Sequence, residues 1–511
     1  YTDVIATKDQ LIYSVRGAPY YSRSGERKPI LATFNFKDRK TGVLLDNAPG
    51  YAFSADHKRV MVNAGGYGVY DVGPNAATTR KAVATDGLIV DRVPRDEWNQ
   101  IFDEVWRRYR DYFYVKNMHG YDWQALHDQY KPLVQYVSHR SDLNYVIQEM
   151  ISELSIQHAY ISGGDWQRTQ RVPVALPGAV FTLDSARGRY RITTIYTGEN
   201  EEPIYRSPLT EIGVNAKVGD YVLAIDGEDL KANDDPYRML RGKADRPVTL
   251  TLSSDFQGSG ARRVTYRPVT SETDLGYLNM VLANQKRVAQ LSGGKVGYIH
   301  IPDMGAAGLR EFIKWFYPQI NKEGLVVDVR ANGGGNVSRM LIERLRRQLL
   351  GVNFARTDEL PNTYPDNVFV GPMATILDEY SSSDGDIFPY MFREAKLGPL
   401  IGKRSWGGVV GINGGVPLID GGKIDVPTSG LASPDGQWVI EGHGVDPDTE
   451  VETDPQSVIQ GQDPQLERGV AEVMKKLQQY PAKLPVRPAD PVKLKKTRRL
   501  AGRETNPIGD L

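Results

Sequence analysis

The spacing of apolar residues changes its period several times along this chain, and each change marks a different kind of element. Over roughly the first 85 residues the apolar runs are short, as in Leu11-Ile12-Tyr13-Ser14-Val15 and Arg59-Val60-Met61-Val62. Gly, Pro, Asn and Asp punctuate them, which predicts an all-β segment. From Pro94 the texture becomes helical, with Trp98, Ile101, Phe102, Val105, Trp106 and Tyr109 at spacings of three and four. A second helical pattern covers residues 123–136, and a third follows the N-cap candidate Ser141-Asp142 and runs through Val146, Met150 and Leu154. Residues 180–272 return to β, with an apolar run at 218–225, the turn Asp226-Gly227, a short helix at 236–240 and a strand at 246–253. From about 273 strand and helix alternate: strands at 296–301, 324–330 and 375–377, helices at 309–316, 340–350 and 388–395. The run at 324–330 is apolar but for Asp328 and Arg330, as in strands buried on both faces.

Composition narrows the chemistry. At 511 residues the chain is long enough for several separate cores. Lys and Arg balance Asp and Glu at 63 each, so no broad electrostatic footprint for nucleic acid is expected. The basic, Pro-rich end after Pro481, with Lys493, Lys495, Lys496, Arg498 and Arg499, reads as a solvated arm. The absence of cysteine excludes disulfide scaffolds, thiolate metal sites and cysteine nucleophiles, and leaves the compartment open between cytoplasm and an oxidising space. No apolar run approaches the ~20 residues of a membrane helix. The chain begins at Tyr1 without a signal-peptide pattern, which reads as a mature or cleaved piece of something longer.

Four segments carry candidate chemistry. Asp378-Glu379-Tyr380-Ser381-Ser382-Ser383-Asp384-Gly385-Asp386 lies between a short strand and a helix, where a nucleophile is exposed and helix-start N–H groups can face an oxyanion. The same residues also suit an ordinary N-capped turn. Arg330-Ala331-Asn332-Gly333-Gly334-Gly335-Asn336 follows a strand and precedes a helix. Its glycines permit close backbone approach, and the Lys-Ser/Thr of a P-loop is missing, so donation to an oxyanion fits better than a phosphate cradle. Among seven histidines, His158 stands at a helix-to-loop junction before Ala159-Tyr160. It is a candidate general base as well as a candidate structural residue. In Val439-Ile440-Glu441-Gly442-His443-Gly444-Val445-Asp446, Glu441 can orient an imidazole and His443 is a rival base.

Two segments resemble known modules. Residues 53–62 are similar to the turn-then-strand signature of a propeller blade, and residues 207–253 resemble a PDZ domain. Taken in order, these segments, Asn332-Gly333-Gly334-Gly335, Ser383-Asp384-Gly385-Asp386, residues 400–411 and residues 441–448 resemble the C-terminal half of the tricorn family of serine peptidases, within the C-terminal processing peptidase superfamily. The resemblance implies a multidomain α+β chain. Its parts are the end of a β-propeller (1–90), a small helical domain carrying the catalytic histidine (91–180), a PDZ-like β domain (181–272), an α/β serine peptidase core (273–480) and the basic arm (481–511).

It also implies roles: Ser383 the nucleophile, His158 the base, Glu441 the member completing the charge network, and N–H groups of Gly335 and Asp384 the oxyanion hole. The family has a serine directly before the histidine, and here Gln157 stands there. Gln157 is expected to take that place by accepting from the His158 ring N–H. Implied partners are a peptide or unfolded-chain substrate, further copies of the chain in a homo-oligomer, and a missing N-terminal propeller region or chain, with no metal or organic cofactor. The rival readings are a catalytically impaired PDZ-containing peptide-binding module and a Ser–Lys peptidase using Lys403 or Lys396.

Overall fold

The computed structural model describes residues 2–15, 28–166, 169–357, 361–413 and 417–493. Its N-terminal part is two antiparallel four-stranded sheets in meander order. One runs from Thr2–Ala6 to Thr41–Leu45 and the other from Tyr51–Phe53 to Lys81–Ala82. Alternation in Arg59–Asn63 buries Val60 and Val62 against Ile12, Leu31 and Leu45 of the first sheet. Two such blade-like sheets are consistent with part of a propeller and do not close a ring.

The helical face expected from Pro94 forms Pro94–Tyr112, with proline in the first turn and Ile101, Phe102, Val105 and Tyr109 buried. The pattern at 123–136 is two elements rather than one. Trp123–Tyr130 is α-helical, and Pro132, which has no N–H to donate, turns the continuation into the 3₁₀ segment Lys131–Tyr136. The third helix, Arg140–Ser152, starts earlier than expected. His139 is its cap, accepting from the Ser141 N–H, while Asp142 reaches back to the His139 N–H. Beyond it the chain turns at His158 into the short strand Tyr160–Ser162. That strand pairs with Lys423–Ser429, which also pairs with Gly411–Asn413. The helical part is thus stitched to a segment more than 250 residues away in sequence.

The PDZ-like part is a six-stranded antiparallel sheet around Phe181, Ile192, Val222, Leu250 and Tyr266, with the short helix Pro236–Leu240. The core that follows is an all-parallel sheet in the order Val296–His300, Gly324–Asp328, Met373–Leu377, Leu400–Gly402, Thr449–Glu450. Its three longest strands are buried throughout, as the largely apolar run at 324–330 predicts. Helices Ala306–Phe316, Ser338–Leu345 and Asp384–Glu394 cover one face. Thr273–Ser292 and Pro464–Gln479 cover the other. Thr273–Ser292 has a weak apolar stripe and escapes pattern reading. Its end is marked by Gly293, left-handed at φ 60°. The helix expected at 340–350 stops at Leu345, because Leu350 is exposed and leads into the hairpin strand Gly351–Asn353. The basic stretch after Lys493 lies outside the described residues.

Candidate active site

Loops at the C-terminal ends of parallel strands build the site, where open α/β sheets gather their functional groups. Met373–Leu377 leads through Asp378 to Ser383, which stands immediately before helix Asp384–Glu394 at φ 61°, ψ −121°. A side chain rarely adopts that conformation, and it holds Ser383 in a sharp, strained turn. An N-cap serine would bond its Oγ to an N–H of the first helical turn, but Ser383 makes no capping bond, so its hydroxyl is not spent on the helix. The preceding residues are tied down instead. Asp378 accepts from the Ala331 N–H at 2.9 Å and the Tyr380 N–H at 3.1 Å, and buried Ser381 donates to the Val329 carbonyl at 2.8 Å.

Gly324–Asp328 leads to the glycine loop, whose root is fixed by Arg330 between Asp328 at 2.6 Å and Asp463 at 2.9 Å. Asn332, fully buried, donates to the Ile301 carbonyl at 2.7 Å and accepts from the Gly334 N–H at 2.9 Å, while its carbonyl accepts from the Ser382 N–H at 2.8 Å. This presses the loop onto the serine turn. A Cβ on Gly334 would stand 2.5 Å from Ser383 Cβ, and Gly334 has φ +82°, so glycine is required there on both counts. The Gly335 N–H bonds to no other described group. Asp384, whose backbone N–H follows Ser383, uses its buried carboxylate to accept from the Ser338 N–H at 2.9 Å, locking the two helix starts together.

The histidine arrives from the helical part. His158 is buried and has φ 58°. Its Nδ1 lies 2.9 Å from the Val410 carbonyl oxygen. A carbonyl only accepts, so the proton sits on Nδ1 and the Nε2 lone pair is left available. The Trp406 ring packs on the imidazole at 5.3 Å, and the Trp406 N–H donates to the Ser381 carbonyl at 3.0 Å, which joins the histidine to the serine turn. Glu441 holds the same strap from behind. Its Oε2 accepts from the N–H groups of Val409 at 2.7 Å and Val410 at 3.0 Å, and its Oε1 from the Gln157 N–H at 3.3 Å. The carboxylate therefore reaches the imidazole through the peptide groups of residues 409–410.

Residues 295–451 match peptidase family S41, residues 94–152 the tricorn protease C1 domain and residues 175–271 the tricorn protease PDZ domain. The tricorn protease of Thermoplasma acidophilum is 34% identical over 483 residues, covering 94% of this chain and 44% of that protein. Tricorn protease homolog 1 of Streptomyces coelicolor is 36% identical over 394 residues, covering 77% of this chain and 36% of that protein. The crystal structure of the tricorn protease superposes with a TM-score of 0.84 at 31% identity, covering 94% of this chain and 46% of that one. The chain belongs to the tricorn protease family. It spans about half or less of the length of these relatives.

Within this tricorn-family site, Ser383, Gly335, Asp384, His158 and Glu441 lie on loops that touch one another, whereas three other candidates do not make the contacts expected of them. The bond expected from His158 to Gln157 is not made, because the Val410 carbonyl takes the Nδ1 proton. Gln157 Oε1 is buried against Gly408 and the Trp406 ring with no hydrogen-bond partner among the described residues. His443 is exposed and paired with Asp446 at 2.7 Å. Lys403 bridges Glu450 and Glu452 at 2.6 and 2.9 Å, and these bonds raise its pKa, so it stays charged and cannot act as a base. Sequence reasoning missed Val410 and Trp406, although both lie in a segment that carried the resemblance.

This geometry ranks two substitutions. Glutamine at 441 has one acceptor oxygen for three converging N–H donors and turns an NH₂ toward one of them, so Glu441→Gln loosens the Val410 carbonyl. A loss of about 10–100-fold in kcat is expected, the scale of a small misplacement of a reacting group. Gln157→Met removes an orphaned buried oxygen that costs about 1–3 kcal/mol. That variant is expected to melt higher and to keep kcat within about tenfold, roughly 1.4 kcal/mol in barrier. Steady-state kinetics and thermal unfolding of both variants check the ranking.

Proposed function

We propose that this chain carries the catalytic half of a tricorn-type serine peptidase that cleaves oligopeptides or unfolded polypeptide segments. His158 Nε2 accepts the Ser383 hydroxyl proton as Oγ attacks the scissile carbonyl carbon. The tetrahedral oxyanion faces the N–H groups of Gly335 and Asp384. His158 then gives the proton to the leaving amine, and water, activated by the same imidazole, releases the acyl group. Glu441 keeps the strap that orients the imidazole in place. The observation that carries this reading is the Nδ1 bond to Val410, which fixes the tautomer a general base needs.

The match to peptidase family S41 supports peptide hydrolysis, as does the 25% identity over 253 residues to the carboxy-terminal processing protease CtpB of Bacillus subtilis, which covers 48% of this chain. An extended chain is the substrate form that reaches a serine flanked by the glycine loop on one side and the 405–410 strap on the other. The two blade-like sheets call for further sheets from residues or chains outside this sequence, and we infer a homo-oligomer as the working form. Nothing favours the impaired peptide-binding reading. Among the described residues no helix is long and apolar enough to cross a membrane.

Labelling with a serine-directed fluorophosphonate tests the assignment. Adduct on the tryptic peptide containing Ser383, with peptide hydrolysis lost in step, is the expected result. Adduct elsewhere, or none with hydrolysis intact, overturns it.

A further inference from the structure

Asp386 stands one turn into the helix that Ser383 precedes, fully buried. Its Oδ1 accepts from the Gly407 N–H at 2.7 Å, and its Oδ2 has no hydrogen-bond partner among the described residues. Gly407 belongs to the strap that ends at Val410, the acceptor of the His158 proton. The strap is pinned on every side. Ser405 N–H donates to the Val445 carbonyl at 3.1 Å, Trp406 N–H to the Ser381 carbonyl at 3.0 Å, and the Gly407 carbonyl accepts from the Gly442 N–H at 2.8 Å. At Gly407 a Cβ would meet Gly444 N at 2.6 Å, so the backbone has no room to slide that way. Two of these pins reach the serine side. Trp406 grips the turn before Ser383, and Gly407 grips the helix after it.

We propose that Asp386, as a carboxylate, is a positioning residue that sets the register between the nucleophile's helix and the strap holding the base. This rests on the assignment of Ser383 and His158. An ionised carboxylate accepts the Gly407 N–H in a charge-assisted bond, roughly twice as strong as a neutral one. A protonated carboxyl weakens that acceptor and gives up the charge that strengthens the bond.

The site keeps this charge at a cost. Burial pushes the Asp386 carboxyl up to about 6, against the opposing pull of the Ser405 hydroxyl and the N–H groups of Gly407 and Ser383. The Glu441 carboxylate adds to the rise, and His158 faces the strap from across Trp406. The folded-state value lies above the ordinary one, so the contribution to stability is present below about pH 4 and is lost as pH rises to about 6. At neutral pH the carboxyl is therefore mostly ionised, at a cost in stability. A working charge that lowers stability is the pattern expected of a functional group.

The test uses the full chain and its peptide hydrolysis. In wild type, two groups must lose protons on the acid side, Asp386 and the base, so log kcat/KM should climb with a slope approaching about 2. Asp386→Asn keeps an acceptor for Gly407 without a charge. It should lower kcat by about tenfold with little change in KM, reduce the slope to about 1, and melt higher than wild type only above about pH 5. A variant with wild-type kcat and an unchanged acid limb overturns the proposal, and so does one that is slower and also less stable at every pH. Should Asp386→Asn fail to fold, the wild-type profile decides, since a one-proton limb overturns the proposal and a two-proton limb upholds it. Ser383→Ala in parallel keeps the two claims apart. An active Ser383→Ala sinks the nucleophile, whereas an inactive one beside an unaltered Asp386→Asn sinks only this role.

Discussion

Ser383→Ala is expected to lower kcat by at least about 10³-fold and to leave thermal unfolding close to wild type. The fold should tolerate the change because Ser383 Oγ caps nothing, and the strained backbone at φ 61° is held by its neighbours rather than by its side chain. The residual rate would come from the glycine-loop and helix-start donors, which a missing nucleophile does not disturb. The adjacent serines separate chemistry from structure. Ser382→Ala should remain near wild type, since its hydroxyl makes only a 3.4 Å contact to the Asn332 carbonyl. Ser381→Ala should keep catalytic capacity but unfold earlier by about 1–3 kcal/mol, because it strands the Asp378 N–H and leaves the Val329 carbonyl with only the Asn332 N–H at 3.2 Å. Peptide hydrolysis by a Ser383→Ala preparation at even a tenth of the wild-type rate would remove Ser383 from the mechanism.

His158→Ala should be nearly as damaging as Ser383→Ala, and the double variant hardly worse than either, because residues acting as one unit do not add. Without the imidazole the serine hydroxyl has no group to take its proton, since Lys403 is locked between two glutamates and His443 points to solvent. His443→Ala is therefore expected to be near neutral. Rates for the four enzymes, measured on one peptide, check the assignment. An inactive His443→Ala beside an active His158→Ala would transfer the base to the other histidine.

Much of this architecture could be read from the residues. The helical spacing from Trp98 to Tyr109, the apolar run at 324–330 and the short strand before Ser383 formed as the pattern predicts, because burial on one face or on both leaves a periodic trace. Gly334 and Gly335 were legible for a similar reason: both have positive φ, and at Gly334 the close approach of Ser383 leaves few other residues possible. Boundaries were less legible. His139 rather than Ser141 caps its helix, and Pro132 splits another, since local hydrogen bonds and the missing proline N–H act on one turn at a time.

What the sequence by itself determined was therefore which residue types stand at each strand end: a serine at a strand-to-helix turn, a glycine loop, a histidine and a glutamate. Only the tertiary structure decided how they are wired. The imidazole proton goes to the carbonyl of Val410, 252 residues further along, and not to the neighbouring side chain of Gln157. A backbone carbonyl is chemically the same at every position, so no pattern of residue types can single one out. The same holds for Asp386. Its burial and its bond to Gly407 exist only once the helix and the strap have packed, and desolvation, which raises its pKa, is a property of that packing rather than of the residue.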